Sequence, residues 1–273
     1  MAAALRVRGE FIAGASGPLA LVSWEPDAAT RPAFAVLYLP PFGDEMNKSR
    51  RTVALQARAL AAMGGMVALL DPYGTGDSSG DHGDATWEGW QDDAVRAFES
   101  LAQRSGATPI LWGLRLGATL AMQVAPRVAP KALVLWQPVL RGKVFVNQLL
   151  RLATVQQRVD GAAGGSDAAR LRDALAAGSA IEVAGYRMRP ELVAPIEASD
   201  LVSDARVTCP IIWRDVSATP LPASEDAAGR LRERGLAIDI ECVAGPSFWM
   251  TQEIEEAPAL IESTSAAVTR AAP

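Results

Sequence analysis

Histidine is almost missing from this chain: His82 is the only one in 273 residues. Much hydrolytic, transfer and metal chemistry needs an imidazole at a fixed place, so that single position is a direct test of function. Cysteine is nearly as scarce. Cys209 and Cys242 make no disulfide framework, and their apolar surroundings predict buried free thiols. A zinc site would need both with His82, and no pair has finger-like spacing, which excludes metal as a cofactor here. Residues 1–12 carry Arg6, Arg8 and Glu10 among their apolar positions, which is not the pattern of a signal peptide. No run approaches the about 20 apolar residues of a membrane span, so a cytoplasmic protein is expected. There is no block of Lys and Arg either. With net charge −5 the chain has no electrostatic footprint for nucleic acid.

What is present is ordinary globular material. Hydrophobic residues make up 49% and charged residues 21%, which excludes disordered and collagen-like chains. The length fits one α/β domain over residues 1–273. Residues 5–12 and 19–24 read as two early strands. Residues 33–39 form a continuous apolar run ending at Pro40-Pro41, the pattern of a strand buried on both faces. A helix capped by Asn47, a strand at 66–71, a turn-rich loop at 72–84 and a helix capped by Thr86 follow. Then come strand 109–113, helix 116–128 and strand 132–136. This alternation predicts a mostly parallel sheet with helices on both faces. It breaks at residues 140–206, read as a lid inserted in the sheet, and resumes with strands at 210–215 and 237–243 and helices at 224–234 and 257–269.

The sharpest motif is Trp112-Gly113-Leu114-Arg115-Leu116-Gly117. Strand, tight turn and helix meet there, with glycines two residues either side of Arg115, as in the G-x-S-x-G nucleophile elbow. Only small neighbours avoid clashing at so sharp a bend. Asp71-Pro72-Tyr73-Gly74 opens a similar loop after the preceding strand, and Pro40-Pro41-Phe42-Gly43 lies where an oxyanion loop belongs. On these residues the chain resembles the α/β-hydrolase superfamily. More narrowly, the string from Pro41 to Arg51, Gly80 to Trp87, Trp136-Gln137-Pro138-Val139-Leu140 and Phe248 to Pro258 resemble the exosortase A system-associated hydrolases of the second type. Those proteins are encoded near bacterial exosortase and exopolysaccharide genes. The resemblance implies an α/β-hydrolase fold, hydrolase or acyl-transfer chemistry on an ester or thioester, and a link to exopolysaccharide or surface-protein export; an acyl or sugar-like small-molecule ligand is the expected occupant if the strand-end tryptophans line a pocket.

The chain departs from the superfamily at each catalytic position. The triad order is Ser, Asp or Glu, then His. Arg115 holds the nucleophile position, and a guanidinium has no lone pair to offer a carbonyl. The acid's place falls near Thr219, with Asp215 close by. The histidine belongs around residues 245–249, where none stands. Four weaker catalytic candidates remain: His82, Ser78 (beside Ser79) as a displaced nucleophile, and the carboxylates Asp44 and Glu45. Each has a plainer reading: Ser78 and His82 as turn residues, Asp44 and Glu45 as a helix start. Arg115 either binds an anionic ligand group or pairs with Asp44, Glu45 or Asp215. The expected pocket comprises Phe42, Gly43, Arg115, Leu116, Trp136, Asp215 and Trp249. Trp112, Trp136, Trp213 and Trp249 are also natural packing residues. The glycines at 74, 76 and 80 lack dinucleotide-loop spacing, and no cofactor is expected.

Overall fold

A computed structural model describes residues 5–26, 31–159 and 168–272, with side chains of 154–159 excepted. The small-residue stretch 161–166 lies outside the described residues. Eight strands form one sheet in the order β1 (Leu5–Ala13), β2 (Pro18–Pro26), β4 (Gly65–Leu70), β3 (Phe34–Leu39), β5 (Ile110–Leu114), β6 (Leu133–Trp136), β9 (Ile211–Val216), β10 (Ile238–Val243). β1 and β2 are antiparallel, and β4 onward run parallel.

The apolar runs explain the layering. In β3, Ala35, Leu37 and Leu39 face one core with α2 (Trp87–Ser105), α3 (Leu116–Val128) and α7 (Pro222–Glu233). Phe34, Val36 and Tyr38 face the other, with α1 (Asp44–Ala62) and α8 (Pro258–Ala271). A strand sandwiched between helices has no solvent face and no polar alternation. Thr86 caps α2, accepting from the Gly89 N–H at 3.0 Å. Asn47 does not cap α1. The helix begins at Asp44 behind Gly43, whose φ of 57° suits glycine, so Asn47 lies within it and donates to the Tyr186 hydroxyl at 3.2 Å.

Between β6 and β9 the chain builds α4 (Gly142–Val159), α5 (Ala168–Ala176), a hairpin of β7 (Ile181–Val183) and β8 (Tyr186–Met188), and α6 (Pro190–Ala198). The sequence pattern missed α6. Its two prolines obscure the helical period, although Pro190 sits at the tolerated first turn. Both cysteines are free and half-buried, more open than expected. Among the described residues no helix is long and apolar enough to cross a membrane.

Candidate functional site

The site is built around the turn from β5 to α3. Arg115 stands at its apex with φ 55° and ψ −119°, a backbone that costs a residue with a Cβ about 1–3 kcal/mol. The glycines make the bend possible. A Cβ on Gly113 would lie 2.3 Å from the Gly117 carbonyl oxygen, and one on Gly117 would lie 2.2 Å from that of Leu39. The turn is held by the Arg115 N–H donating to the Trp136 carbonyl at 2.9 Å. The nucleophile elbow is therefore intact in backbone, with a cation where the attacking oxygen would sit.

Three neighbours receive that cation. Its Nε donates to Glu45 Oε1 at 3.2 Å, and Nη1 donates to the Gln137 carbonyl at 3.4 Å. The guanidinium carbon stands 5.8 Å from the centre of the Trp249 ring, within cation–π range. Trp249 thus follows the last strand in the region where a hydrolase histidine is expected. Burial pushes the Glu45 carboxyl up, against the opposing pull of Arg115 and Lys48. Asp44, by contrast, turns to Lys48 at 3.9 Å. Asp215 is buried within β9, accepting from the Trp213 indole at 2.8 Å, and burial raises its pKa against hydrogen bonds from Ser224 and Trp213. Of the three acids weighed as partners for Arg115, Glu45 is the one it meets.

One flank of the elbow is plugged. Phe42, on the loop after β3, packs against His82 (5.3 Å between ring centres), Trp90 (5.9 Å) and Phe145 of α4 (6.0 Å). Tyr186 of β8 closes over His82 at 5.1 Å. The space left beside Gly43, Leu116 and Gly117 is about 10 Å³, room for one water at most. This is where the Leu116 N–H and the β3 loop would have to receive a substrate oxygen.

The displaced Ser–His route is not assembled here. The Ser78 hydroxyl accepts from the Ala20 N–H at 2.8 Å and donates to the Asp71 carbonyl. Ser79 donates to the Pro18 carbonyl at 2.9 Å. Both serines thus stitch the 72–84 loop to β2. His82 Nδ1 instead donates to the Arg187 carbonyl at 2.9 Å, and Nε2 is buried without a hydrogen-bond partner among the described residues. Burial lowers the His82 pKa, outweighing its Arg187 contact and the charge of Asp81. The ring belongs to the aromatic plug.

The other flank is open. A cavity of about 440 Å³ lies between the loop after β6, α4 and α7, with Arg115 in its wall. Neither Trp136 nor Asp215 lines it, contrary to the sequence expectation. Trp136 is fully buried on the α1/α8 side, its indole donating to Thr264 at 2.9 Å, because alternation along β6 turns it into that core. Trp112 and Trp213 are likewise buried in the two cores. Trp249, 3% exposed, reaches the site only through Arg115. The sequence reading missed Arg141 and Arg230, which line the cavity. They come from distant segments, and nothing in the local pattern of either marks it.

A family model described as serine aminopeptidase, S33, matches residues 43–206. No curated protein matches the chain in sequence. Among solved structures, Est1E from Butyrivibrio proteoclasticus, with ferulic acid bound, is 15% identical with a TM-score of 0.68, covering 96% of each chain. XC6422 from Xanthomonas campestris, described as an α/β serine hydrolase without lid, is 16% identical with a TM-score of 0.57, covering 97% of this chain and 93% of its own. An esterase from the archaeon Pyrobaculum calidifontis is 18% identical with a TM-score of 0.62, covering 98% and 84%. At these identities the likeness concerns the fold.

Proposed function

This chain belongs to the serine aminopeptidase S33 family of α/β hydrolases, and we propose on that premise that it is a non-catalytic member that has kept the pocket to bind a ligand. One observation carries the reading: Arg115 occupies the elbow apex, tied to Glu45 and set against Trp249. Acyl transfer needs a nucleophile with an available lone pair, a base to take its proton, and room for the developing oxyanion. Arg115 offers no lone pair. No histidine follows the last strand. The oxyanion side holds about 10 Å³.

In this reading residues 140–206 form the lid of a single cytoplasmic domain, and α4 is its wall over the open flank. The strings shared with the exosortase A system-associated hydrolases support placing the ligand in exopolysaccharide or surface-protein export. Turnover of p-nitrophenyl butyrate and of an aminoacyl p-nitroanilide tests the proposal. The expected rate equals that of the Arg115→Ala variant and of buffer. Saturable turnover abolished by His82→Ala or Ser78→Ala would refute it and reinstate an unconventional hydrolase.

A further inference from the structure

The open cavity has a charge pattern that narrows the ligand. Arg115 lines it beneath the β6 loop, Arg141 where that loop enters α4, and Arg230 on α7. Two carboxylates, Asp200 and Asp226, share the lining. Asp200 is already engaged by its own turn, accepting from the N–H groups of Val202 at 3.1 Å and Ser203 at 2.8 Å. Burial pushes its carboxyl up, but these bonds and the charge of Arg141 outweigh it and hold the group below its usual range. Among the described residues neither Arg141 nor Arg230 makes an ion pair. Arg115 uses its Nε on Glu45 and has a long 3.4 Å contact for Nη1, leaving donors to spare.

Three arginines therefore line one cavity in a chain of net charge −5. Apart from Gln148 and the two carboxylates, the rest of the wall is apolar: Val139, Phe145 and Val202 are buried, and Val144 stands 52% exposed at the cavity. A volume of about 440 Å³ suits a small molecule. Donors supplied by three separate elements match a tetrahedral head with three terminal oxygens better than a flat carboxylate, which one guanidinium satisfies in a single fork.

We propose that this cavity binds an alkyl phosphate: a phosphomonoester head held by Arg115, Arg141 and Arg230, with an aliphatic chain laid along Val139, Val144 and Phe145. The assignment rests on reading the elbow as a binding site. Titration calorimetry of the full chain with octyl phosphate, octanoate, octanol and inorganic phosphate tests it. Octyl phosphate should bind one to one, more tightly than octanoate or inorganic phosphate, and octanol should not bind. Arg141→Ala and Arg230→Ala, both at exposed positions, should each weaken octyl phosphate roughly tenfold or more while leaving the melting curve unchanged. Co-sedimentation with phosphatidic acid vesicles, lost in Arg230→Ala, would assign the head group to a lipid; binding of octyl phosphate alone would assign it to a free molecule. No heat with octyl phosphate, equal binding of octanol, or indifference to both arginine variants would overturn the proposal. The same samples exposed to a fluorophosphonate separate the two readings. A serine adduct defeats the non-catalytic reading whatever octyl phosphate does, whereas no adduct and no octyl phosphate binding defeats the ligand assignment alone.

Discussion

The two flanks of the elbow share one strand and one helix start, yet they have gone opposite ways. On the β3 side, Phe42, His82, Trp90 and Tyr186 fill the space with ring on ring. On the β6 side, α4 and α7 stand apart around a cavity lined by Arg115, Arg141 and Arg230. Phe145 belongs to both: its ring meets Phe42 on one side and lines the cavity on the other. A cation at this apex is not a local feature. A cation at the apex needs a carboxylate, and Glu45 supplies it from the first turn of α1. It also needs a surface to lie against, and Trp249 supplies that from the segment after the edge strand β10.

Stability should separate the flanks most sharply. Phe42→Ala removes the 5%-exposed centre of the plug and should cost about 3–5 kcal/mol in urea denaturation. Val144→Ala at the open flank should stay within about 0.5 kcal/mol. Equal losses would break the contrast. Next comes the apex pair. Glu45→Ala leaves a half-buried guanidinium without its carboxylate and should cost roughly 1–3 kcal/mol. Adding Arg115→Met should recover part of that loss, because the stranded charge goes with it. A double-mutant cycle by denaturation reads the coupling, and strict additivity would mean the pair is incidental.

A smaller effect concerns pH. The His82 pKa is lowered in the folded chain. The unfolded chain takes that proton near 6.5 and the folded ring only at lower pH, so the unfolded state binds more protons in between. The plug should lose stability as pH falls below about 6.5. Glu45 acts with opposite sign, since its raised pKa keeps a proton on the folded state longer. The His82 contribution is therefore read as the difference between wild type and His82→Phe, which keeps an aromatic ring. Parallel stability profiles for the two would contradict a desolvated imidazole. The smallest effect is expected at Arg230, where Ala should leave stability within about 0.5 kcal/mol while octyl phosphate binding weakens.

The parts of this molecule that the amino-acid order makes legible are those ruled by local physics. Apolar runs such as 33–39 announce doubly covered strands, and the glycine spacing around Arg115 announces the bend, because both constraints act within a few residues. Thr86 is read correctly as a cap for the same reason. Asn47 is not, because the glycine conformation at Gly43 starts α1 earlier than side-chain capping would. The choice among Asp44, Glu45 and Asp215 as the partner of Arg115 needed three dimensions: Asp44 and Glu45 are neighbours in the chain, and helix geometry alone sends one to Lys48 and the other to the apex. Trp136 shows the same limit. Its place at a strand end is visible, but which core it enters depends on the register of β6 against β5 and β9. Arg141 and Arg230 share a site only because α4 and α7 bound the same cavity.

The central claim is that no serine in this fold is activated for attack. Intact-mass spectrometry after incubation with a fluorophosphonate tests it most directly, because a reactive serine is converted to a stable adduct whatever its preferred substrate. The expected spectrum shows the unmodified chain alone, in wild type and in His82→Ala alike. A single stoichiometric adduct on one serine, lost in His82→Ala, would contradict the account.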